Sequence, residues 1–74
     1  MTFIQLSKEE ILSQREFEVL ERIALGHKNH EIAQSLGIAE VTVRFHIGNI
    51  LSKLGVKNRT QAACYAIKNG WINT

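Results

Sequence analysis

The stretch NHEIAQSLGIAEVTVRFHIGNILSKL, residues 29–54, decides how this chain folds. Apolar residues recur in it at helical spacing, without strand-like alternation. Asn29 reads as the N-cap of a short helix over about 29–36, with Ile32, Ala33 and Leu36 as its buried stripe. Gly37 turns the chain, because glycine takes a positive φ without strain. Ile38 plugs the corner, and a longer helix follows over about 40–54 until Gly55 stops it. Small Ala33 lets the two helices approach, while Ile38 and Val43 fill the angle between them. Two helices joined by a three-residue turn containing glycine form a helix-turn-helix.

The flanks add two more helices. Ser13-Gln-Arg-Glu16 has capping-box spacing, in which each side chain satisfies the other residue's backbone N–H. Val19, Leu20, Ile23 and Ala24 then share one face, and Gly26 ends that helix. Asn58-Arg-Thr-Gln61 repeats the capping pattern before a last helix over about 60–69, closed by Gly70. Residues 1–12 carry Phe3, Ile4, Leu6, Ile11 and Leu12, which suit either a short extra helix or an arm. The expected fold class is all-α. Four helices make a helix-turn-helix domain over 13–74, with a short helix or arm over 1–12.

With 74 residues, 45% of them apolar, the chain is one small globular domain. No apolar run approaches the length of a membrane span, so no membrane partner is expected. The N-terminal residues lack the basic-then-apolar pattern of a secretory signal, and a cytoplasmic protein is the default expectation. All seven acids lie in residues 1–40, against four bases. Residues 41–74 hold Arg44, Lys53, Lys57, Arg59 and Lys68 and no acid. Such asymmetry suits a surface that faces a polyanion. The single cysteine, Cys64, excludes an internal disulfide. His27, His30 and His46 have no cysteine partner at ligand spacing, so neither a metal nor a cofactor is expected.

At 100° per residue, Val43, Ile47, Ile50, Leu51 and Leu54 gather in one apolar sector of the 40–54 helix. Val41, Phe45, Gly48, Asn49 and Ser52 point the opposite way, flanked by Thr42 and Arg44. That outer face suits the major groove. Arginine can pair with guanine, asparagine with adenine, and an apolar side chain can touch a thymine methyl. The expected base contacts are Val41, Arg44, Phe45, Gly48 and Asn49. Thr42, Lys53, Lys57 and Arg59 are the expected phosphate contacts, which set position and affinity without reading sequence.

Residues 13–72 resemble the LuxR/FixJ/NarL-type helix-turn-helix domain. The resemblance rests on SQREFEVL (13–20), EIAQSLGI (31–38), TVRFHIGNI (42–50), KLGVKNRTQA (53–62) and Gly70-Trp71-Ile72. It implies a four-helix transcription regulator that binds DNA as a homodimer and pairs through its last helix. It also implies base contacts from Arg44, Phe45 and Gly48. Two positions depart from the family pattern. Lys28 and Ala39 stand where serine or threonine often caps the second and third helices, and a lost cap costs about 1 kcal/mol. Family members commonly carry a receiver or ligand-binding domain ahead of this one. The opening Met1 and the short lead of about a dozen residues lead us to expect a stand-alone regulator instead.

A receiver's phosphorylated aspartate is not available, since the chain has no aspartate. Attention therefore moves to the last helix. Ala62, Tyr65, Ala66 and Asn69 form its core face, with Ala63 and Ile67 as a second apolar stripe that Cys64 borders. In a two-fold dimer this helix meets its own copy. Ala63, Cys64 and Ile67 are the expected interface, and Cys64 the expected redox switch. Small redox-responsive regulators of this family are similar in size and in carrying a cysteine near the C-terminus. The expected partners are double-stranded DNA, a second copy of the chain, RNA polymerase, and a thiol reductant such as thioredoxin.

Two other readings compete. A sigma-like, polymerase-associated helix-turn-helix would generally stop after the recognition helix, and the fourth helix argues against it. A protein-interaction module without DNA binding is opposed by Arg44 and the acid-free C-terminal half. No nucleophile–base pair or phosphate-cradling loop is visible, so an enzyme is not expected.

Overall fold

The computed structural model describes residues 6–73, and every regular element among them is helical. In chain order these are α1 (Lys8–Ile11), α2 (Gln14–Ala24), α3 (Asn29–Leu36), α4 (Glu40–Leu54) and α5 (Arg59–Lys68). Phe3 and Ile4 lie outside the described residues. The alternatives left open for residues 1–12 resolve, over 8–11, as a one-turn helix. Its start is held by Ser7, whose backbone N–H and hydroxyl both donate to Glu10 Oε1. Leu12 then drops into the core at 4% exposure, so the packed unit begins before residue 13.

Helix α2 starts where the capping box placed it. Ser13 Oγ accepts from the Glu16 N–H at 3.1 Å, and Glu16 Oε1 accepts from the Ser13 N–H at 2.9 Å. The start of α3 corrects the expectation. Lys28 occupies the N-cap and Asn29 is the first helical residue. A lysine side chain has no acceptor, so Glu31 supplies the cap by accepting the Lys28 N–H at 2.7 Å. Asn29 Oδ1, released from capping, accepts from Arg59. At α5, Asn58 Oδ1 accepts from the Gln61 N–H as expected. Gln61 Oε1 reaches one residue further back, to the Lys57 N–H, and the helix begins at Arg59 instead of Thr60.

Gly37 makes the turn between α3 and α4 at φ +67°, in the left-handed region. The chain folds back there, with the Ile38 N–H donating to the Ala33 carbonyl at 3.0 Å. Helix α2 packs along both α4 and α5, and α3 packs along α4. The core where they meet comprises Leu12, Val19, Leu20, Ile23, Ile32, Ala33, Val43, Ile50, Ala62 and Ala66. Full burial of each Leu, Ile or Val contributes about 1.5–3 kcal/mol. Ala62 and Ala66 are small, which lets α5 lie close against α2. Ile47, Leu51 and Leu54 are half-buried at the edge of this core, as are Leu36 and Ile38. Trp71, beyond α5, meets Tyr65 of that helix edge-to-face with centroids 5.3 Å apart, closing the C-terminal end.

Candidate nucleic-acid interface

Helix α4 is sorted into two faces. Val43 and Ile50 are fully buried and fasten it to α2 and α3. On the opposite side, Val41 is 62% and Phe45 65% exposed. Arg44, Gly48 and Ser52 are exposed alongside them, while Asn49 and Thr42 are half-buried at the margins. The expected reading strip is thus brought together at Val41, Arg44, Phe45 and Gly48, with Asn49 partly withdrawn.

Gly48 has no internal purpose. A Cβ built there would meet nothing within 4 Å, and its φ is ordinary. A glycine inside a helix costs about 0.8–1 kcal/mol relative to alanine. Such a cost at an open position on an outward face makes sense where another molecule must come close to the backbone.

Glu40 escaped the sequence reading. Its carboxylate lies 3.9 Å from Arg44 Nη1, on the same side of α4 one turn earlier. The i,i+4 spacing of an acid before a base is the signal that would have found it. Its place in the first turn also suits the helix dipole.

The four expected phosphate contacts divide. Lys57 is exposed and Thr42 half-buried. Lys53 donates from Nζ to Glu16 Oε1 at 2.8 Å, yet keeps 43% of its side chain exposed, so its remaining N–H groups can face outward. Arg59 is held differently from the other three. Its guanidinium donates to Asn29 Oδ1 and, at 3.0 Å, to the His27 carbonyl, and so is turned inward. It ties α5 to the turn between α2 and α3. An open cleft of about 540 Å³ lies where the N-terminal ends of α3, α4 and α5 converge, lined by Lys28, His30, Glu40, Thr60 and Ala63 among others.

The three α5 positions separate as well. Cys64 and Ile67 are exposed, Ile67 at 42%. Ala63 is half-buried and lines the cleft, away from the shallow groove in which Cys64 sits with Val56, Tyr65 and Lys68. His46 is half-buried, with Nδ1 enclosed and unbonded. Among the described residues no three His, Cys, Asp or Glu side chains are grouped to hold a metal. None of the described helices is long and apolar enough to cross a membrane.

The family model described as bacterial regulatory proteins, luxR family, matches residues 10–66. The chain belongs to the LuxR family. The transcriptional regulatory protein DegU of Brevibacillus brevis is 48% identical over 62 residues, which cover 84% of this chain and 26% of DegU. LnrK of Bacillus subtilis (strain 168), also a transcriptional regulatory protein, is 51% identical over 59 residues, or 80% of this chain and 27% of LnrK. The response regulator protein VraR of Staphylococcus aureus (strain NCTC 8325 / PS 47) is 49% identical over 63 residues, covering 85% of this chain and 30% of VraR. Among solved structures, the transcription factor GerE superposes with a TM-score of 0.79 at 35% identity, over 85% of this chain and 94% of GerE. The chain therefore has the LuxR-type DNA-binding fold and spans less than a third of the curated relatives it matches. Those relatives carry the names of regulators, not of enzymes.

Proposed function

We propose that this LuxR-type domain regulates transcription by binding a specific duplex sequence as a homodimer, with α4 in the major groove. The observation that carries the reading is the exposed strip Val41–Arg44–Phe45–Gly48 on a helix fastened from behind by Val43 and Ile50. Arg44 and Asn49 supply the polar base contacts, and Lys57, Lys53 and Thr42 meet phosphates. The names of DegU, LnrK and GerE support a role in transcription, and RNA polymerase is the partner such a role requires. A DNA target places the action in the cytoplasm.

Dimerisation through α5 is supported by the exposure of Ile67 beside Cys64. Accessibility of the Cys64 thiol supports redox control. In that step two Cys64 thiols give up two electrons and two protons to a peroxide-class oxidant and form one intersubunit S–S bond. A dithiol reductant of the thioredoxin class reverses it.

The test is selection of bound duplex from a random pool by the full chain, under reducing and under peroxide-treated conditions, with Cys64→Ser in parallel. Enrichment of two-fold symmetric half-sites is expected, with an occupancy that changes on oxidation only when Cys64 is present. Enrichment of a lone half-site would overturn the dimer. Indifference to oxidation would remove the switch, and a pool that stays random would remove DNA binding.

A further inference from the structure

We propose that Glu40 is a positioning residue for Arg44, holding the guanidinium on the outward side of α4 and away from the DNA backbone, so that sequence selectivity depends on an acid. The inference rests on the proposed insertion of α4 into the major groove and deepens it. Glu40 is the only acid of α4, and no acid follows it in the chain. A carboxylate on a surface that meets a polyanion repels phosphates and lowers affinity for every sequence. Its presence at that surface calls for a compensating benefit.

Capping is not that benefit. Glu10, Glu16 and Glu31 each stand third in their helices, and each accepts the N-cap N–H from there. Glu40 is the first residue of α4, where a side chain has no turn to reach back across, and the N-cap Ala39 has no side-chain bond. Its ion pair is with Arg44, at 3.9 Å, and both side chains are exposed. An acid four residues ahead of a base lies one helical turn before it, and helical side chains lean toward the N-terminus. The pair therefore draws the guanidinium back along the outward side of α4. Arginine carries five N–H donors in a planar fork, so a carboxylate near Nη1 leaves donors free for a guanine edge. An unpaired arginine has many rotamers, and phosphates offer it a partner on any sequence. Glu40 thus acts with opposite sign on two kinds of DNA. On the selected duplex it pre-orders the arginine. On an unrelated duplex it holds the arginine back.

The experiment uses the full chain, a duplex enriched from a random pool and a scrambled duplex of the same composition. Binding is read by fluorescence anisotropy between about 50 and 200 mM salt. Glu40→Gln should weaken binding to the enriched duplex about twofold and tighten binding to the scrambled one about twofold, the scale of an i,i+4 ion pair. Selectivity then falls about fourfold, the product of the two. Salt dependence on the scrambled duplex should steepen by about one phosphate contact. In an Arg44→Ala background the same substitution should leave selectivity unchanged. An equal change on both duplexes would overturn the proposal, because simple charge removal or damage to the first turn of α4 gives that result. So would a loss of selectivity that persists without Arg44, which would assign Glu40 to the cleft it shares with Lys28 and His30. Failure of any duplex to enrich would overturn the DNA-binding reading itself, and this role with it.

Discussion

Lys53, near the end of α4, donates from Nζ to Glu16 Oε1 at 2.8 Å, and that same oxygen accepts the Ser13 N–H at 2.9 Å. One carboxylate thus caps α2 and pins α4 to it. Glu16 is a buried acid at 4% exposure. Burial pushes its pKa up, but the hydrogen bonds from Lys53 and Ser13 and the charge of Lys53 outweigh burial and hold it below its ordinary 4.5.

A depressed carboxylate stabilises the fold above its unfolded pKa, and that contribution fades as the pH falls through the native value. Stability should therefore decline from about pH 4.5 downward. Glu16→Gln keeps an oxygen for the Ser13 cap and removes the charge. It should cost about 1 kcal/mol at pH 7 and flatten the acid slope, as read by urea unfolding between pH 7 and pH 3. An unchanged slope would place the acid sensitivity elsewhere.

Arg59→Lys should destabilise the domain by about 1–2 kcal/mol in chemical unfolding. One ammonium cannot hold Asn29 Oδ1 and the His27 carbonyl in the fork geometry of a guanidinium. A neutral result would mean that the inward contacts of Arg59 carry no net stability.

Ala39 sits at the N-cap of α4 with no side-chain hydrogen bond, leaving only its carbonyl to accept from the Thr42 and Val43 N–H groups. Ala39→Ser should add about 1 kcal/mol and raise Tm by about 4–8 °C. Scanning calorimetry measures this directly.

These residues also mark what the sequence could and could not disclose. The Ser13–Glu16 box, the Gly37 turn and the stripe Val19, Leu20 and Ile23 were legible because each rests on a local spacing of three or four residues. So was the outward strip of α4, since helical rotation alone separates Val41 and Phe45 from Val43 and Ile50. The Arg59–Asn29 and Lys53–Glu16 pairings were not, because the partners lie 30 and 37 residues apart and a charge reads the same whether it points inward or outward. Residue preference alone points to Asn29 as the cap. The acceptor that does the capping, Glu31, sits inside the helix and reaches back.

Gly48→Ala should act in opposite directions on two measurements. The added methyl meets nothing within the domain and removes a helix-interior glycine, so thermal stability should rise by about 0.8–1 kcal/mol. Affinity for the selected duplex should fall, because the methyl stands between backbone and groove. Gains in both would show that nothing approaches α4 closely at this position.

The inward turn of Arg59 has a geometric consequence. It locks the base of α5 to the turn ahead of α3, while α2 spans α4 and α5 together. The outward faces of α5 and of α4 are therefore both held against one packed core. In any pair of these domains joined through α5, the separation of the two α4 faces is a fixed length, as on a caliper. Targets with one base pair more or less between half-sites would be rejected through the cost of bending and twisting DNA to fit, even where every base contact is present.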